Sequence, residues 1–93
     1  MEFEWDPDKA QSNLIKHHVS FDVAARVFLD PNRIETYDGR EDYDEDRWKT
    51  IGLVDPALLA VVYTIRGDED GETTRLISAR KADTYEQAQY SEI

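Results

Sequence analysis

The chain has no cysteine, which excludes a disulfide framework, a thiolate metal centre and a thiol nucleophile. Long apolar runs are also missing. The longest, Ala57-Leu58-Leu59-Ala60-Val61-Val62-Tyr63, is far short of the roughly 20 residues that cross a bilayer. Met1-Glu2-Phe3-Glu4 is acidic and lacks the basic flank and apolar stretch of a signal peptide, so a cytoplasmic location is expected. There is no HExxH and no Cys/His cluster, and neither a metal nor a cofactor is expected.

Positive charge is the scarcest resource. Eleven Lys and Arg face 21 Asp and Glu, for a net charge of −10, whereas a protein that grips phosphate backbones usually has a basic surface. The excess is uneven. Residues 1–29 carry net −2, residues 30–46 net −6, residues 47–82 net +1 and residues 83–93 net −3. A cationic site therefore has room in residues 47–82, while direct DNA binding by the chain is not expected.

What is present reads as one small domain over residues 1–93, with 40% hydrophobic content enough for a sheet covered by helices. Phe3 and Trp5 alternate with acids as in a short strand. Asp6-Pro7 is an N-cap followed by proline at the first helical position, with Asp8 at the positive dipole end. That helix is expected to reach about His17, burying Ala10, Asn13 or Leu14, and His17. Ser20 opens a second helix with Phe21, Ala24, Ala25 and Phe28 facing the core, and Asp30-Pro31 stops it. Strands are expected at Arg33–Tyr37, Arg47–Val54, Leu58–Arg66 and Glu72–Arg80. They are separated by the acidic loop 38–46, an Asp55-Pro56 turn and a Gly67–Gly71 turn. Asp83 and Glu86 form a capping-box start for a last helix. The predicted class is α+β, a mainly antiparallel sheet with helices packed on it, in the order β-α-α-β-β-β-β-α.

Two blocks frame the chain. One is Trp5-Asp6-Pro7-Asp8-Lys9-Ala10 with Asn13, Lys16-His17 and Val19-Ser20-Phe21; the other is Ile77-Ser78-Ala79-Arg80-Lys81-Ala82. Together they resemble the BrnT family, the toxin halves of type II toxin–antitoxin pairs, and the resemblance covers nearly the whole chain. It implies a RelE-like fold and a metal-independent ribonuclease that inhibits translation. It also implies a BrnA-like antitoxin of ribbon-helix-helix type, through which alone the pair contacts DNA. The chain departs from the family at His18, where glycine is usual, and in the last helix, which carries no Lys or Arg.

Ribonuclease chemistry of this kind attacks a phosphate with the neighbouring 2′-hydroxyl. It needs a base, an acid and cations for the developing charge. Arg80, at a strand end before a helix start, is the first candidate for the phosphate, its bland alternative being a salt bridge. Arg47 and Arg66 lie near one another in a hairpin and could complete a compact patch with Arg80, or be separate surface arginines. Glu45, in Glu45-Asp46-Arg47, matches the family's acidic-then-Arg block and is a candidate base, or a solvated member of an acidic run. His17 suits proton transfer but equally serves a helix end. Lys9, Lys16 and Lys81 are the candidate RNA contacts that the two blocks supply. Trp5, Phe21, Phe28 and Trp48 read as packing, whereas Tyr37, Tyr43 and Tyr63 could stack on bases. A catalytically weak relative that only binds its antitoxin is the alternative reading.

Overall fold

The computed structural model describes residues 1–39 and 45–92. Its elements are β1 (Glu2–Glu4), α1 (Pro7–His17), α2 (Phe21–Ala25) continued by a 3-10 turn (Arg26–Leu29), β2 (Ile34–Tyr37), β3 (Trp48–Val54), β4 (Ala57–Asp68), β5 (Gly71–Lys81) and α3 (Thr84–Ser91). The order is the expected one. Among the described residues five strands form one sheet, β1-β5-β4-β3-β2. The β2 to β5 run is an antiparallel meander, but β1 joins β5 in parallel, so the sheet is mixed. No helix among the described residues is long and apolar enough to cross a membrane.

Local chemistry sets the helix starts. The Asp6 carboxylate accepts from the Asp8 N–H at 2.8 Å, and Ser20 Oγ accepts from the Val23 N–H at 3.1 Å. Asp83 and Glu86 close a reciprocal capping box. Each such cap contributes about 1 kcal/mol. α1 ends on His18 in the left-handed conformation, φ 59°, so the geometry glycine usually supplies is kept with a side chain in place. The β4–β5 strands run further than expected, to a register of Asp68 with Gly71. Their turn shrinks to Glu69-Asp70, and Gly71 takes φ +125°, open to glycine and costly for other residues.

The core lies on one face of the sheet. Phe21, Ala24 and Val27 pack on Leu59, Val61, Tyr63, Leu76 and Ala79, and burying a side chain such as Phe21 is worth about 2–3 kcal/mol. Gly52 of β3 lets the 3-10 turn approach, since a Cβ there would stand 2.5 Å from a Val27 methyl. Phe28 and Trp5 pack at the border of this cluster.

Trp48 departs from its expected packing role. It is 36% exposed, edge-on to Tyr37 at 5.2 Å between ring centroids, on the β2–β3 side of the sheet and outside the core cluster. Tyr63 is in the core instead of on an open face, and Tyr43 lies outside the described residues.

The inward residue of α1 is polar. Asn13 is buried, Leu14 is 47% exposed and His17 is half-buried. Register explains the choice. β1 pairs with β5 only up to Arg75, so the outer edge of β5 beyond that point is open. Asn13 fills it as a strand would: its amide donates to Ala79 O at 2.8 Å and Val19 O at 3.0 Å, and its carbonyl accepts from Ala79 N at 3.0 Å. Buried backbone groups need such partners.

Candidate active site

Paired residues in a sheet point to the same face, and residues two apart on a strand share it. Ile51, Ala60 and Arg80 are in register, as are Lys49, Val62 and Ser78. These side chains point away from α1 and α2, toward α3. Alternation puts Arg47 and Arg66 on that face too. Trp48 pairs with Tyr63, so Arg47 stands at the level of Thr64, whose hydroxyl donates to Asp46 O. The cations therefore climb β4 in rungs at positions 60 (Arg80), 62 (Lys49), 64 (Arg47) and 66 (Arg66). Two residues make a step of about 6.6 Å, and the whole ladder spans about 20 Å. Arg75, in register with Thr64, is on the same face and pairs with Glu4 at 3.6 Å.

Two carboxylates divide the ladder. Glu45 lies between Arg47 Nη2 at 3.7 Å and Arg66 Nη2 at 3.4 Å. Glu86, 1% exposed, lies between Arg80 and Lys49. Its Oε1 accepts from Arg80 Nη1 at 2.6 Å and from the Asp83 N–H at 2.9 Å. Its Oε2 accepts from Arg80 Nη2 at 3.0 Å and Lys49 Nζ at 2.8 Å. The sequence candidates thus fall into groups. Arg47, Arg66 and Glu45 are brought together. Arg80 is on the same face but at the other end, so the compact three-arginine patch is replaced by a track. Lys81 is exposed but, in register with Leu59, lies on the face opposite Arg80, so it is not brought to the ladder.

Lys9 and Lys16 are exposed on α1, in the layer behind the sheet. His17 is one turn beyond Asn13 and shares its face of α1, toward the open β5 edge. Lys49 and Glu86 were not singled out from sequence as site residues. The signal for Lys49 was its spacing of two from Arg47 in a strand. Glu86 was visible only as half of a capping box.

Burial alone would push the Glu86 carboxyl pKa up. The hydrogen bonds from Arg80, Lys49 and the Asp83 N–H outweigh burial and bring it from 4.5 to about 2. A depressed folded-state pKa means stability that is present above the unfolded value and lost as pH falls through the folded one. Stability is therefore expected to drop between about pH 4.5 and about pH 2. After allowing for water around the partly exposed Arg80 and Lys49, the loss from this group is about 1–2 kcal/mol. Urea midpoints across that window check this, and Glu86→Gln should flatten that part of the slope; identical slopes would contradict it.

The opposite face has different chemistry. A cavity of about 360 Å³ there is bordered by Met1, Phe28, Trp48, Tyr63 and Ile65. Burial, reinforced by the neighbouring Glu35 carboxylate, pushes the Tyr63 hydroxyl pKa up and removes it from proton transfer near neutrality.

Residues 5–86 match the sequence model of a family described as "Ribonuclease toxin, BrnT, of type II toxin-antitoxin system". The chain belongs to the BrnT family. The match spans both framing blocks, the cationic ladder and the start of α3, and membership in a type II toxin family brings an antitoxin partner with it. A search of curated proteins finds no relative.

Proposed function

We propose that this BrnT chain cleaves RNA on the cationic sheet face, with Glu45 as general base and Arg47 and Arg66 on the scissile phosphate. The observation that carries this reading is Glu45, in the bend before β3, set between Arg47 and Arg66 of β4. Base and charge-stabilising cations are what 2′-hydroxyl attack requires. The Glu45 carboxylate takes the 2′-hydroxyl proton as O2′ bonds to phosphorus. The bond from phosphorus to O5′ breaks, and the departing oxygen is protonated from water. The products are a 2′,3′-cyclic phosphate and a 5′-hydroxyl, with no metal in the step. Arg80 holds the strand further along the ladder, whereas Lys81, in register with Leu59, is on the other face and takes no part in it. His17, at the β5 edge, is the other candidate proton carrier.

In the cell this activity stops translation in the cytoplasm, and a BrnA-like, ribbon-helix-helix antitoxin silences it. The acidic surface favours docking of a basic partner, and contact with DNA runs through that partner. Induced expression in growing bacteria tests the reading. Translation and intact RNA should fall before growth stops, and Glu45→Gln should relieve all three. If the folded chain accumulates without affecting RNA or growth, the alternative holds: a catalytically silent module that acts through its antitoxin complex.

A further inference from the structure

We infer that Lys49 and Arg80 form a phosphodiester-binding pair that Glu86 occupies in the free chain, so that α3 is a lid displaced when RNA binds. The inference rests on the reading of this face as an RNA track and adds its regulation.

The geometry of the pair is that of an occupied anion site. Arg80 holds Glu86 with both terminal nitrogens, at 2.6 and 3.0 Å, and Lys49 reaches the second oxygen from the far side at 2.8 Å. A guanidinium fork meets two oxygens of a carboxylate or two of a phosphate in the same way, and a lysine adds a point charge to either. Ala60, the small residue on the strand between them, stands in register with Arg80. The ladder places this pair beyond Arg47 and Arg66, where the next phosphates of a bound strand would lie.

The attachment of α3 is the second, independent observation. Glu86 is its one buried residue, Tyr85 is 72% exposed, and no apolar side chain of the helix is buried. Among the described residues its other side-chain ties are the Tyr90 hydroxyl, which donates to Asp30 Oδ2 at 2.6 Å, and the Gln87 amide, which donates to Ala82 O at 3.0 Å. An eight-residue helix does not persist unaided in water, and a buried ion pair is a weak source of net docking energy because desolvation offsets much of the attraction. Exchanging the carboxylate for a phosphodiester leaves both cations paired, so opening coupled to RNA costs less than opening alone. The absence of Lys and Arg from α3 follows: this helix competes with RNA and does not hold it.

The test is binding of a fluorescent, uncleavable 2′-O-methyl oligoribonucleotide at low salt, with hydrogen exchange of the α3 amides. Glu86→Gln should bind about tenfold tighter, and Tyr90→Phe, which loosens the lid without touching the cations, about two- to threefold tighter. Adding Lys49→Ala to Glu86→Gln should abolish the gain, and the α3 amides should exchange faster with oligonucleotide bound. If Glu86→Gln fails to fold, Tyr90→Phe decides. Folded variants that bind no tighter, or α3 amides equally protected with RNA bound, overturn the lid. Cleavage that persists in that case leaves the nuclease reading standing. Tighter binding with no cleavage by any form sinks the nuclease reading and keeps the lid.

Discussion

Glu45→Gln is expected to lower the rate of RNA cleavage by about 10²–10³, with RNA affinity changed less than about threefold. Glutamine keeps the shape, and its one carbonyl oxygen can still accept from Arg47 or Arg66, but it cannot take a proton. Glu45 is partly exposed, so removing its charge leaves no buried group stranded and the fold should be unaffected. His17→Gln is the informative companion. If Glu45 is the base, His17→Gln should cost less than about tenfold. The reverse ranking would move proton transfer to the β5 edge. Single-turnover cleavage of a labelled RNA, with circular dichroism as the control for folding, separates the two.

Asn13→Ala is expected to have the largest effect on stability, a loss of about 3 kcal/mol. It removes three hydrogen bonds and leaves the Ala79 N–H, Ala79 C=O and Val19 C=O without their partner; each stranded buried group costs about 1–3 kcal/mol, less where water enters. In a chain of this size that lowers the melting temperature by more than about 10 °C. Leu14→Ala, on the exposed face one residue along, should change stability by under about 0.5 kcal/mol. Urea or thermal unfolding checks both, and equal effects at the two positions would show that Asn13 is not the edge substitute its geometry indicates.

That pair of positions shows where sequence was legible and where it was not. Caps at Asp6, Ser20 and Asp83 announced helix starts because their chemistry acts within three residues. Strand alternation announced the meander for the same reason. The inward face of α1 was ambiguous because periodicity ranks Leu14 above Asn13; only the short β1, which leaves the outer edge of β5 open at Ala79, makes the amide the better inward residue. A parallel β1 was equally invisible, since pairing with β5 spans most of the chain.

The candidate site was half legible. Arg47, Arg66 and Glu45 could be gathered from one hairpin. Sequence left open whether Arg80 joins them in one patch, because it gives strands without register, and register places Arg80 on the same face at the other end of a track. The last helix read only as a departure from the family, for want of Lys and Arg. The contact between Glu86 and the Lys49–Arg80 pair joins positions on three elements, and no local pattern encodes it.

The most direct measurement is incubation of the purified chain with a labelled RNA in excess EDTA, beside the Glu86→Gln variant, with the chemistry of the new ends determined. Metal-independent attack by the 2′-hydroxyl gives 2′,3′-cyclic phosphate and 5′-hydroxyl ends, and no cut where the nucleotide carries a 2′-deoxy sugar. RNA left intact by both proteins, or fragments ending in 3′-hydroxyl and 5′-phosphate, would contradict it.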